Sequence, residues 1–415
     1  MFATTTRFAP LPAGAVSAAG SVTFPRGYRA EGVHSGLKRR RRDVGVLRSE
    51  VPAVSAAFYT TNRAAAAPVL LTRDEGANGA FQAVVVNAAN ANACTGPRGE
   101  LDARRMRDLT AELLGLPPER VAVSSTGVIG EPLPMAVIEK GIRRASAGIS
   151  EDGGEHFAAA IRTTDRSEKQ GALSVAVRGG EVRLGFAAKG AGMIAPNMAT
   201  TLCFVTCDAA VPHVDWRAML SAGVQRSFNR ITVDAQESTN DMVLGLANGA
   251  SGIALRDGDV ERLAEALHAG LLAMALAVVA DGEGSTTTVR LRVTGADSAS
   301  EAERVARAVA DSPLVKTSIY GRDANWGRVV QAAGMVLSAD GDGPLACDVA
   351  FDGLTIARRS MPVGLDESDE LRLLEALSAP ELDLSVNLHR GRSVSVVYFS
   401  DLTHEYVRVN AGART

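Results

Sequence analysis

The chain has 415 residues, 46% hydrophobic and 22% charged, with a formal net charge of −3. That composition excludes a disordered chain or a fibre, and the missing basic excess excludes a nucleic-acid coat or a membrane-surface binder. Only 4% of residues are aromatic and 41 are glycine, so small side chains have to fill much of the core, with backbones approaching closely.

Residues 1–22 read as a flexible tail: Pro10, Pro12 and the lack of a leucine-rich run argue against a secretory signal. The acid-free stretch with Arg7 also fits an organellar transit segment. Lys38 and Arg39–Arg42 form a basic run, expected as a solvated turn between two strands. Phe81–Asn87 (FQAVVVN) reads as a buried strand, and ELDARRMRDLTAELLGLPP as a helix stopped by Gly115 and Pro117. Arg120–Thr126 is a strand ending at a Thr-Gly turn. ALSVAVRGGEVRLGFAA is a hairpin turning at Gly179–Gly180, and Leu202–Asp208 is a further strand.

DWRAMLSAGVQRSFNR and residues 260–280 have helical spacing. The apolar run Ala269–Ala280 is shorter than the roughly 20 residues of a membrane span. TTTVRLRVTG is a strand, and SEAERVARAVADSP a helix with a capping box of Ser300 and Glu303. LACDVAFDG, ELDLSVNLHRG, SVSVVYFS and HEYVRVN complete the series as strands. Hairpins mixed with helices predict mixed or antiparallel sheets covered by helices, not a Rossmann fold. Cys94, Cys203, Cys207 and Cys347 are too scattered for a disulfide scaffold and point to a reducing compartment.

Several short blocks hold more glycine and polar residues than core packing selects: SSTGVIG, IRTTD, KGAGMIAPNMATTL, SFNRITVDAQESTND, DGEG and GRDANWGR. Within KGAGMIAPNMATTL, Thr200 stands behind a glycine-rich loop and a small residue, at the mouth of a strand. A hydroxyl there can attack the preceding carbonyl, shift the acyl group from nitrogen to oxygen and cleave the chain. The new N-terminal threonine then carries both nucleophile and base, since an α-amine titrates near ~7.7–8.0. Spacing alone fits a plain strand-initiating turn as well.

These blocks, with SPLVKTSIYGRDANWGR and DLTHEYVRVNAGART, closely resemble in order those of the ornithine acetyltransferase (glutamate N-acetyltransferase) family, from about residue 23 to the last residue. The resemblance implies an α/β fold, a self-processing N-terminal-nucleophile-like sandwich with stacked mixed β-sheets between helix layers. It implies self-cleavage between Ala199 and Thr200 into an α chain (23–199) and a β chain (200–415), associated as α2β2. It further implies ping-pong acetyl transfer from N2-acetylornithine to glutamate through a Thr200 acetyl-enzyme, in the cytoplasm, within arginine biosynthesis. Thr126 and Gly127 match the oxyanion pair, and Thr163, Lys189, Thr200, Glu283, Asn410 and Thr415 match substrate-binding positions. No metal and no organic cofactor is implied. Acetyl-CoA is an open co-substrate, because some relatives use it and no residue here decides. Nucleic acid and membrane are not expected partners. Thr201 departs from the Met of many relatives, and Asn87–Asn90 from a more common Ser-Gly version.

Two rival functions share these residues. A self-processing aminopeptidase or amidohydrolase would let water attack the acyl-enzyme, and a non-enzymatic assembly protein would keep only the fold. The C-terminal NAGART favours transfer over the first, and the intact Thr200, Thr126 and Lys189 set argues against the second.

Overall fold

The unbroken apolar character of Phe81–Asn87 follows from what covers it. In the computed structural model, which describes residues 6–195, 201–256, 258–337 and 343–412, this segment begins the strand Ala83–Asn90. That strand lies in a four-stranded sheet ordered Tyr28–Val33, Val44–Ser49, Ala83–Asn90, Val121–Val128. Successive side chains leave a strand on opposite faces. Val84, Val86 and Ala122 join a core with Ala187, Leu202, Phe204, Met242 and Leu244 of a second sheet. Ala83, Val85, Val121 and Val123 pack instead on the helices Gly96–Leu114 and Met135–Gly148, through Met106, Leu109, Ile138 and Ile142. Both faces are buried, so the strand cannot alternate apolar with polar.

The second sheet has six strands, ordered Ala15–Ala18, Lys169–Val177, Gly180–Lys189, Leu202–Cys207, Met242–Ala247, Val54–Tyr59. It is mixed: Leu202–Cys207 runs parallel to Met242–Ala247 and antiparallel to Gly180–Lys189. Its other face carries the helices His213–Arg226 and Asp259–Ala280. A Cβ on Gly270 would stand 2.2 Å from the Phe186 ring; only glycine lets this helix lie so close to the sheet. The helix is long and apolar enough to cross a membrane, yet 78% of its most apolar stretch is buried inside the protein, as in a core helix.

These elements form one compact unit, Met1–Asn229 with Glu237–Val278. Its layers run helix, sheet, sheet, helix, the stacked mixed arrangement expected. A second unit, Arg230–Gln236 with Val279–Ala413, holds a mixed seven-stranded sheet. Its order is Ile231–Thr232, Ser393–Ser400, Thr288–Ala296, Glu381–Asn387, Asp348–Phe351, Leu354–Arg358, Met361–Pro362. One face packs on the helices Ala299–Ala310, Pro313–Tyr320 and Trp326–Leu337 through Val289, Leu291, Val305, Val309, Ile319 and Leu384.

Four expectations need correction. The tail expected over residues 1–22 is, in its described part, tied down: Ala15–Ala18 pairs antiparallel with Lys169–Val177, and Phe8 and Val22 are buried. A sheet edge offers unpaired N–H and C=O groups that even an Ala/Ser/Val stretch can satisfy. HEYVRVN is not a strand but the start of the helix His404–Gly412. Thr403 sets it, accepting the Glu405 N–H at 3.2 Å and donating to the Gly284 carbonyl at 2.8 Å. The capping box lies two residues earlier than expected, with Ser298 accepting the Glu301 N–H and Glu301 accepting the Asp297 N–H. The basic turn is not wholly solvated, because Lys38 points inward (below).

Candidate active site

The site of the first unit is built where strands end. Ala83–Asn90 and Val121–Val128 run parallel, with Ala88 opposite Thr126 and Ala89 opposite Gly127. A Cβ on Gly127 would sit 2.1 Å from the Ala89 carbonyl oxygen, and its φ is +129°. Position 127 therefore admits only glycine, and its backbone stays uncovered by any side chain of its own. Asn240 fastens the same strand ends, its Nδ2 donating to the carbonyls of Ala91 (2.6 Å) and Ser125 (2.8 Å).

Thr126 is 7% exposed, and its Oγ1 accepts a hydrogen bond from Lys189 Nζ at 3.1 Å. A hydroxyl that accepts from an ammonium turns its own proton elsewhere, so the Thr126 O–H is directed toward another acceptor. Lys189 closes its strand directly opposite Leu202. The predicted oxyanion pair and the predicted substrate lysine thus meet in one place.

A residue not singled out from the sequence organises them. Asp165, fully buried, accepts from Lys169 Nζ (2.7 Å), from the Gly190 N–H (2.8 Å) and from the Thr163 N–H (2.8 Å). Burial alone would raise its pKa. The ammonium groups of Lys169 and Lys189, with the donated hydrogen bonds, outweigh burial and hold the carboxyl well below the usual range. One carboxylate therefore fixes Thr163 and the backbone next to Lys189. Lys38 lies close by, its Nζ donating to the carbonyls of Arg42 (3.0 Å), Ala160 (3.2 Å) and Arg162. Burial lowers its pKa to about 7, and the nearby Lys189 charge adds to that.

Asp241 is the opposite case. It is 2% exposed, and its Oδ2 has no hydrogen-bond partner among the described residues. Burial pushes its pKa well up, only partly offset by Lys189 and by Ser238. Thr201 Oγ1 is likewise buried without a partner. Thr126, Lys189, Thr201, Ser238, Asn240 and Asp241 line one cavity of about 20 Å³, the room of a single water.

The second unit holds two other predicted residues together. Asn410 Nδ2 donates to Glu283 Oε2 at 2.7 Å and to the Tyr406 carbonyl at 3.0 Å. Glu283 is 9% exposed, on the turn DGEG. The C-terminal helix sits tightly on this turn: a Cβ on Gly284 would meet the Tyr406 nitrogen at 2.5 Å. Tyr406 has its pKa pushed up to about 12 by burial and by the charges of Asp234 and Glu283.

Ala199, Thr200 and Thr415 lie outside the described residues. Asp165, Asp241 and Lys38 were missed as site residues. Each stands inside or beside a polar block, but their burial depends on partners far away in the chain.

Residues 29–415 match the ArgJ family. The chain is 45% identical over 403 residues to the arginine biosynthesis bifunctional protein ArgJ of Symbiobacterium thermophilum, covering 96% of this chain and 99% of that protein. It is 44% identical over 400 residues to the protein of the same name from Halalkalibacterium halodurans, covering 95% and 96%. Among solved structures, it is similar to an ornithine acetyltransferase from Mycobacterium tuberculosis complexed with ornithine. There the identity is 37% and the TM-score 0.42, covering 45% of this chain and 100% of that one. With the family matched over nearly its whole length, the chain belongs to the ArgJ family of arginine-biosynthesis enzymes.

Proposed function

We propose that this enzyme cleaves itself between Ala199 and Thr200, and then moves acetyl from N2-acetylornithine to glutamate through an ester on Thr200. The observation that carries the reading is the contact of Lys189 Nζ with Thr126 Oγ1 at 3.1 Å, beside a position that admits only glycine. Lys189 faces Leu202 across the sheet, and Thr200 precedes Leu202 by two residues. Two oxyanion donors and a cation thus flank the strand that Thr200 leads into. Attack on acetylornithine gives a tetrahedral oxyanion, and its collapse releases ornithine. Glutamate's amine then attacks the ester through a second, similar oxyanion.

Thr163, Lys189, Glu283, Asn410 and Thr415 are assigned to amino-acid substrate binding, Lys189 to a carboxylate and Glu283 to an amine. The α chain (23–199) and β chain (200–415) stay joined because Gly180–Lys189 and Leu202–Cys207 pair within one sheet, and we assign an α2β2 assembly. The cytoplasm suits a protein whose four cysteines are all free. No organic cofactor or metal is invoked, and acetyl-CoA is retained as a second acetyl donor to assay. The experiment is a gel and an assay of purified protein. Wild type runs as two fragments, the second beginning at Thr200, and makes N-acetylglutamate from acetylornithine and glutamate. Thr200→Ala stays full length and inactive. A cleaved Thr200→Ala variant overturns the reading.

A further inference from the structure

The basic run divides in two. Arg39 and Arg40 are exposed, whereas Lys38 Nζ and Arg41 Nη1 reach the segment that bears Thr163. We propose that Lys38 is a positioning residue for acetyl transfer: it holds the Thr163 segment in register with the Thr126 strand end, so that binding of the amino-acid substrates depends on it. The proposal rests on the reading of Thr163 as a substrate-binding residue and adds what keeps that residue in place.

The hydrogen bonds of Lys38 are the first argument. Its Nζ donates to the carbonyls of Ala160 (3.2 Å) and Arg162, and to that of Arg42 (3.0 Å) on its own turn. An ammonium has three N–H groups and no acceptor. These three carbonyls use it fully, with no N–H over for a substrate carboxylate, so Lys38 acts through the segment it grips. The Arg162 carbonyl and the Thr163 N–H belong to one planar peptide group. Lys38 holds its C=O, and Asp165 Oδ2 accepts its N–H at 2.8 Å. Arg41 Nη1 adds a bond to the Asp165 carbonyl at 3.3 Å. Between the buried Arg162 and Asp165, Thr163 is half-buried and open to a ligand.

The second argument is what the turn is fastened to. Asp43, fully buried, closes it: its carboxylate accepts the N–H groups of Ser35 (2.6 Å), Gly36 (3.2 Å) and Lys38 (3.0 Å). The Asp43 carbonyl accepts the Ala88 N–H at 2.8 Å, and Ala88 lies opposite Thr126 in the parallel ladder. A separate path joins the same two places. The Gly190 N–H also donates to Asp165, and the preceding Lys189 donates to Thr126 Oγ1. Thr163 is thus tied to the Thr126 strand end twice, through Lys38 and Asp43 and through Asp165 and Lys189. Two ties fix a segment's tilt as well as its distance, and a binding group has to be held within about 0.5 Å. Keeping this ammonium from water is unfavourable, since burial lowers its pKa to about 7. A turn that only had to close could leave the side chain in solvent, as it leaves Arg39 and Arg40.

The test measures acetyl transfer from acetylornithine to glutamate by purified protein, for wild type, Lys38→Met, Thr163→Ala, the double variant and Arg40→Met. Lys38→Met keeps the stem and loses the three donors. Its KM for the amino-acid substrates is expected to rise about tenfold with kcat nearly kept, as for one hydrogen bond shared by ground and transition states. Because Lys38 acts through Thr163, adding Lys38→Met to Thr163→Ala should raise KM little further. Arg40→Met removes the same charge from an exposed place in the run and should leave KM unchanged; a general attraction of anionic substrates would instead move both variants and fade with salt, which overturns the proposal. An unchanged KM in Lys38→Met, with KM raised in Thr163→Ala, overturns it and leaves the Thr163 reading standing, as do KM effects that multiply in the double variant. An unchanged KM in Thr163→Ala overturns the substrate reading of Thr163 and the proposal with it. If Lys38→Met does not fold, Lys38→Arg decides. It keeps the charge, but its planar fork cannot aim at three converging carbonyls, and a wild-type KM there overturns the proposal.

Discussion

Two regions beside Lys189 each bury an aspartate, and they leave it in opposite states. Asp165 sits among donors: an ammonium, two backbone N–H groups and the nearby Lys189 charge. Asp241 has the same lysine in reach, but it keeps an oxygen with no partner. Both are fully out of water, so desolvation works against charge in each. The number of fixed donors decides the outcome. Asp165 is thereby held as an anion that fixes the Thr163 and Gly190 backbones, while burial favours the protonated form of Asp241.

The largest expected effect tests this contrast through stability. On the uncleaved Thr200→Ala background, Asp165→Asn would remove the carboxylate to which the buried Lys169 ammonium donates. Breaking a buried pair by removing one partner costs about 3–5 kcal/mol, readable by urea unfolding. Asp241→Asn keeps the side-chain shape at a position where burial already disfavours the charge, and should stay within about 1 kcal/mol of its parent. Equal losses would remove the distinction. The pH dependence has a fixed sign. A carboxyl depressed in the folded state contributes stability fully present above its unfolded pKa, about 3.9. Wild type should therefore lose stability as pH falls below about 4, and Asp165→Asn should lose less of it there.

Next in size is the oxyanion donor. Thr126→Ala keeps the strand and the Gly127 N–H but removes one hydroxyl. Loss of such a donor typically lowers kcat about 10²–10³-fold, or ~2.7–4 kcal/mol. Self-cleavage should slow too, because its intermediate carries the same charge. If kcat survives, the Lys189 contact serves only to pack the strand end.

The sequence reveals the frame better than the charges. The strands around Ala83–Asn90 and Leu202–Cys207 and the helices Gly96–Leu114 and Asp259–Ala280 were legible because periodicity is local. HEYVRVN misleads because Tyr, Val and Val at alternate spacing imitate a strand, while the cap that makes it a helix is Thr403, just upstream. Lys38, Asp165 and Asp241 look like any surface charge. Their partners come from 122 residues away for Lys38 and Ala160 and 25 for Asp165 and Gly190, so only the folded sheet shows them buried.

The smallest expected effect comes from the second unit, where two of the predicted site residues meet in a different kind of contact. Glu283 is half of a single hydrogen bond, and its partner Asn410 is exposed on the last helix. Asn410→Ala removes one bond to a charged acceptor, worth about 1.5–3 kcal/mol where water is excluded and less on this exposed side. Self-cleavage should stay at the wild-type rate, since neither residue takes part in the Ala199–Thr200 chemistry proposed here. Acetyl transfer should show a KM for acetylornithine or glutamate raised about five- to tenfold with kcat nearly kept, as for an interaction equal in ground and transition states. Asn410→Asp separates binding from folding, because it keeps the helix and sets a carboxylate against Glu283. Its KM should exceed that of the alanine variant, and the excess should shrink as salt screens the repulsion. Unchanged KM in both would detach Asn410 from the substrate and leave it as a brace between the helix and the DGEG turn.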